Sequence, residues 1–149
     1  MDSVFSTDLI NLNLKAVDKK SAILQMAQTL VDKKRGNDVS QIVKDVLERD
    51  QLGTPQVDGI AIPHARSSGV DIASVSVARC KPGVSFDEDD GVADVLLMIV
   101  VPDSNGDEHL NILSELARRL MNPDFSRALR ETNTAEELFE ILNRSKEKI

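Results

Sequence analysis

Residues 9–16, LINLNLKA, alternate in character: Ile10, Leu12, Leu14 and Ala16 fall on one side, Asn11, Asn13 and Lys15 on the other. A period of two over that length predicts a half-buried strand. At Asp18 the period lengthens. Ile23, Met26, Ala27, Leu30 and Val31 share one helical face, and Gly36 supplies a stop. Asp38 followed by Gln41 has the spacing of a capping box, and Val39, Ile42, Val43, Val46 and Leu47 form a second amphipathic stripe. The stretch 51–59, QLGTPQVDG, is rich in turn residues and predicts a loop. Strand patterns return at 60–63 and 73–79. Residues 94–101, DVLLMIVV, are the most apolar run in the chain and predict a central strand covered on both faces. The acidic SFDEDDG between the last two predicts a solvated turn. Beyond Pro102, Leu110, Leu113, Leu116, Ala117 and Leu120 keep helical spacing. Pro123 suits the first turn of a short helix through Leu129, and Thr134 with Glu137 caps a last one. The predicted order is β-α-α-β-β-β-α-α-α. It describes a single α/β domain over 1–149, with one mixed sheet of about five strands flanked by helices on both faces.

Composition narrows the function classes. The chain has 149 residues, four Phe and neither Trp nor Tyr. Its core must be built from aliphatic side chains and methionine, and it offers almost no stacking platform for single-stranded nucleic acid. The net charge of −7 opposes phosphate backbones and anionic lipid. A lone cysteine, Cys80, excludes an internal disulfide, and no Cys-x-x-Cys pair marks a zinc site. No apolar stretch reaches the roughly 18 residues of a membrane span, and the N-terminus lacks the basic start and apolar middle of a signal peptide. The expectation is a cytoplasmic protein with neither a nucleic-acid partner nor direct membrane insertion.

Candidate chemistry gathers around GIAIPHARSSGV, residues 59–70. Pro63 has no N–H, so the ladder of the 60–63 strand is expected to stop there. That places His64 at a strand end, where ligands collect in open α/β sheets. A largely neutral imidazole is a nucleophile able to take a phosphoryl group. Arg66 stands two residues on, and Arg49 closes the second helix just before the loop; a guanidinium can grip phosphate through two parallel bonds. His109, in the first turn of the helix after the central strand, is placed to face the same sheet edge, and the helix dipole favours its neutral form. Each residue also has a plain alternative: His64 as a surface cap, Arg49 as a charge matched to a helix C-terminus, His109 as one of several first-turn polar groups. A hydrolase or metal enzyme built on His64, His109 and Cys80 is a rival reading. Glu108 and His109 are adjacent on a helix and diverge by about 100°, which makes joint ligation awkward. Cys80 shares the parity of Ala78 and Ser76 and reads as a small packed residue.

From DLINLNLKAVDKKSAI through LERDQLG, GIAIPHAR, VSFDEDDG, LLMIVVP and EHLNILSELARRL to NTAEELFEIL, the chain resembles the enzyme IIA domain of the fructose/mannitol type of the bacterial phosphoenolpyruvate:sugar phosphotransferase system, including its nitrogen-related branch. The resemblance implies a phosphocarrier. His64 would accept phosphate from the histidine phosphocarrier protein HPr and pass it to a IIB domain of a sugar permease. His109 would be the second active-site histidine and Arg49 the cationic contact, with no metal or organic cofactor. Arg66 and Thr54 are further candidates for phosphoryl or partner contact. Where relatives carry a Ser-Thr and Gly-rich stretch before the motif, this chain reads GTPQVDG. The rival within the resemblance is a regulatory IIA whose phosphorylation state controls binding to other proteins instead of sugar transport.

Overall fold

The structure is a computed structural model that describes residues 4–105 and 108–147, without the side chains at 105, 108, 109 and 144–147. Its sheet contains β1 (Ile10–Asn11), β2 (Gln56–Val57), β3 (Ile60–Ala61), β4 (His64–Arg66), β5 (Ser74–Asp87) and β6 (Gly91–Val101). The order across the sheet is β1-β5-β6-β3-β2, with β4 beside β6 as well. β1 runs parallel to β5, while β3 and β4 run parallel to β6. The β5–β6 and β2–β3 pairs are antiparallel. The sheet is therefore mixed, with six strands where about five were expected.

Alternation on β6 sets the layers. Leu96, Met98 and Val100 join the core under α1 (Lys19–Asp32) and α2 (Val39–Asp50). Val95, Leu97, Ile99 and Val101 join the core under α3 (Glu108–Arg119), α4 (Pro123–Glu131) and α5 (Ala135–Glu147). Every one of these β6 side chains is at most 1% exposed. The helix starts obey the capping rules. Asp18 accepts from the Ser21 amide at 2.8 Å, Asp38 from Gln41 at 3.1 Å, and Thr134 from Glu137 at 3.1 Å. At Asp38 only half of a capping box forms, because the Gln41 side chain donates to Asp45 instead. On the α3 side, Arg119 is buried between the rings of Phe5 and Phe125 and donates to the Leu142 carbonyl at 2.8 Å, tying α3 to α5. Burial holds its guanidinium below the usual arginine range.

Three expectations are corrected. The first strand is only two residues long: residues 7–9 form a 3-10 turn, and Leu14 rejoins β5 through a single bond from its amide to the Arg79 carbonyl, 2.8 Å. The 51–59 loop contains β2. The Asp58–Gly59 pair, φ +54° and +77°, closes the β2–β3 hairpin with both central residues left-handed, the geometry that favours Asp-Gly. The strand at 73–79 extends to Asp87, past a register shift between Arg79 and Val84 that periodicity does not announce. Gly83 sits in that irregular stretch at φ +107°, where a Cβ would stand 3.0 Å from the Ala93 carbonyl oxygen.

Leu97, fully buried at the centre of β6, is the strictest test of this layering. Leu97→Ala is expected to lower unfolding free energy by about 2–5 kcal/mol in urea titration, with the fold retained.

Candidate functional site

The site grows from an interruption in the sheet. β3 and β4 lie along the same side of β6, and Ile62 and Pro63 separate them. Pairing does not end at the proline, contrary to the sequence expectation. Proline lacks only the donor: its carbonyl accepts from the Ile99 amide at 3.0 Å, and His64 resumes the ladder opposite Ile99. His64 is thus a strand residue and not the first residue of a loop. On the other edge, the Ile62 amide donates to the Pro55 carbonyl at 2.9 Å, extending the β2–β3 pairing by one step.

The Ile62 carbonyl lies 3.0 Å from His64 Nδ1. A carbonyl only accepts, so in the neutral ring Nδ1 carries the hydrogen and Nε2 holds the lone pair. The ring does not sit at an open strand end, as the expected stop at Pro63 implied; His64 is 2% exposed. Its surroundings are nonetheless those of a cleft. His64 lines a depression of about 630 Å³ together with Ala65 and Arg66 of β4 and Asp45, Glu48, Arg49 and Leu52 from α2 and the turn after it.

Two of the predicted residues therefore converge with His64. Arg49 stands in the last turn of α2 and donates from Nη1 to the Gly53 carbonyl at 3.0 Å, which fixes the fork at the rim of the cleft. Arg66 lies on the exposed end of β4. Thr54 is not among the lining residues; its hydroxyl donates to Asp50 Oδ1 at 2.6 Å. His109 begins α3 with Glu108, but its side chain lies outside the described residues. Cys80 is buried in the core beneath α1 and α2, away from the cleft, its thiol 3.8 Å from the Ala16 carbonyl. Among the described residues no three His, Cys, Asp or Glu side chains converge as a metal site would require.

The sequence reading missed Asp45, Glu48 and Leu52. A signal was present: 45, 48, 49 and 52 keep the i, i+3, i+4, i+7 spacing of one helical stripe, a stripe that carries Arg49. Two carboxylates and two guanidinium groups thus share the cleft. Asp45 is held at 3.0 and 3.1 Å by the Gln41 amide. Leu52 is 81% exposed at the lip.

The mixed sheet thus places His64 and Arg66, on one interrupted strand, in a cleft with Arg49 of α2. Residues 3–145 match the family model of the phosphoenolpyruvate-dependent sugar phosphotransferase system, EIIA 2, and the chain belongs to that family. It is 35% identical over 144 residues to the fructose-specific EIIA component of Haloferax volcanii, covering 95% of this chain and 94% of that one. The nitrogen regulatory protein IIA-Ntr from Neisseria meningitidis superposes with a TM-score of 0.81 at 27% identity, covering 92% of this chain and 94% of the other. The Escherichia coli mannitol enzyme IIA, solved in complex with its phosphorylated enzyme IIB, shares the fold with a TM-score of 0.76 at 24% identity, over 93% and 96% of the two chains.

The ring geometry has a direct readout. Long-range proton–nitrogen correlation spectra of the unphosphorylated protein above the histidine pKa are expected to show His64 as the Nδ1–H tautomer. A pure Nε2–H pattern would contradict the bond to Ile62.

Proposed function

We propose that this protein is a phosphoryl carrier of the sugar phosphotransferase system, with His64 as the residue that holds the phosphoryl group. The observation that carries the reading is the bond between Nδ1 and the Ile62 carbonyl, in a cleft that Arg49 and Arg66 also line. Nδ1 is occupied, so Nε2 is the nucleophile. Its lone pair forms a new N–P bond as the N–P bond of phosphorylated HPr breaks, and the released electron pair returns to the donor ring. The transfer is then repeated toward a IIB domain. Such a transfer needs alignment and charge stabilisation more than covalent assistance. Arg49 and Arg66 supply the positive charge, and their planar forks suit phosphoryl oxygens. His109, at the start of α3, is assigned the supporting role beside the phosphoryl group. Asp45 and Glu48 repel the same dianion, which favours handing it on over retaining it. The family membership and the fructose-specific name of the Haloferax relative support sugar uptake as the pathway served. The IIB complex of the mannitol enzyme supports a IIB as acceptor.

The ring's burial adds a requirement. A donor cannot meet Nε2 by grazing the surface; it must enter the cleft or displace its rim. The charged lining makes that entry a matter of rearranging solvated side chains, not of opening an apolar core.

A second reading is favoured by the superposition on IIA-Ntr: the same phosphohistidine could serve as a regulatory signal. Binding separates the two. Transfer from the phosphorylated protein to a fructose-type IIB supports the carrier, and its absence with retained labelling supports the regulator.

Incubation with phosphoenolpyruvate, enzyme I and HPr is expected to add one acid-labile, base-stable phosphoryl group, and His64→Ala to abolish it; normal labelling of that variant would refute the assignment. Arg49→Gln should slow acceptance by about 10²–10³-fold, measured by quenched-flow labelling.

A further inference from the structure

Behind the cleft, the side chain of Asp50 is 6% exposed and both its oxygens are engaged. Lys19 Nζ, at the start of α1, pairs with Oδ2 and donates as well to the Phe86 carbonyl at 3.1 Å near the end of β5. The Thr54 hydroxyl donates to Oδ1 at 2.6 Å. Asp50 thus joins the first turn of α1, the last turn of α2, the far end of β5 and the loop before the hairpin. None of Lys19, Asp50 and Thr54 lines the cleft.

The loop that Thr54 anchors leads straight to the ring. Pro55, the next residue, accepts from the Ile62 amide at 2.9 Å, and the Ile62 carbonyl accepts from His64 Nδ1 at 3.0 Å. Pro63 cannot donate, so the Ile62–Pro63 link has no N–H of its own to hold it in the sheet. Its position is set by the Ile62 amide on one edge and by the Pro63 carbonyl, bonded to Ile99, on the other. The Ile99 side is rigid, being the fully buried centre of β6. The Pro55 side is a loop, flanked by the bond from Arg49 to the Gly53 carbonyl and by the Gln56–Ala61 pairing, and the residue directly before Pro55 is held by the bond from the Thr54 hydroxyl to Asp50.

We infer that Lys19, Asp50 and Thr54 form a positioning clamp for His64: through Pro55 and the Ile62 peptide they hold the carbonyl that fixes the ring's tautomer and aim. Thr54 thereby takes a role other than contact with the phosphoryl group. The inference rests on His64 as the phosphorylated residue for its kinetic consequence, but its structural half stands without it. A carboxylate flanked by a cation and a hydroxyl locks the loop better than the neutral amide of Asn, which exchanges a charge-assisted bond for an ordinary one. A ring whose bond to Ile62 is weakened loses part of its preference for the Nδ1–H form, and misplacement of a nucleophile by about 1 Å costs up to about 10²-fold in rate.

The experiment compares Asp50→Asn, Thr54→Val and Thr54→Ser in the full-length protein, by two readouts. In the unphosphorylated protein, ring nitrogen spectra should change from the Nδ1–H form to a mixture in Asp50→Asn and Thr54→Val, and remain wild-type in Thr54→Ser, which keeps the hydroxyl. In stopped labelling with phosphorylated HPr, the first two variants should lose about ten-fold or more in maximal rate with the half-saturating HPr concentration unchanged; Thr54→Ser should retain the rate. An unaltered tautomer and rate in a folded Asp50→Asn or Thr54→Val protein overturns the clamp. Should Asp50→Asn fail to fold, the Thr54 pair, which leaves the Lys19–Asp50 ion pair intact, decides the matter by the same criteria. If wild-type His64 takes no phosphoryl group, the functional reading fails, while the spectra still decide the clamp.

Discussion

The double burial of β6 is the constraint from which the rest follows. A strand with Leu96, Met98 and Val100 on one face and Val95, Leu97, Ile99 and Val101 on the other cannot meet water on either side. One face takes the α1–α2 pair, the other the three C-terminal helices. β5 covers one of its edges for most of its length, so the other edge is left to short segments. Those segments are β3 and β4, and the gap between them is where the chain turns its one proline-histidine pair toward the helix α2. The site therefore occupies the position where the central strand's hydrogen bonding is completed piecemeal.

Much of this was legible in the residues. The heptapeptide-scale stripes of α1 and α2, the Asp18, Asp38 and Thr134 caps, and the unbroken apolar run of β6 each state their structure locally, because periodicity and capping are short-range effects; on α3 the spacing gave the helix but not its buried face, since Leu110 and Ala117 are exposed and Arg119 is buried. The Gln56–Ala61 hairpin was hidden because its first strand, β2, is two residues long, too short for alternation to register. Its Asp58–Gly59 turn was the available clue. The extension of β5 past Arg79 was hidden by the Lys81–Pro82–Gly83 interruption, which reads as a strand end.

The candidate site divides along the same line. Arg49, Arg66 and His64 are near one another in sequence or stand at element ends, which made them candidates; the pattern left a plain alternative open for His64 and Arg49, and it is the fold that brings the three to one cleft. The environment of His64 did not. Reading Pro63 as a terminator treated the residue as a donor only; its carbonyl remained able to pair, so the strand continued and carried the ring inside. Asp45 and Glu48 were overlooked for a different reason: acidic residues on a helix surface are ordinary, and only the tertiary placement of α2 against β4 turns them into cleft walls.

Leu52 gives the cleft one apolar point of contact for a visitor. It stands 81% exposed at the lip of the cleft, the one large aliphatic side chain among the residues that line it. Covering one leucine gains about 2 kcal/mol, roughly a thirty-fold longer dwell time, and among the described residues lining the cleft no other large aliphatic side chain adds to it. Under the carrier role proposed above, such a single adhesive point gives enough grip to hold an encounter and too little to make it permanent.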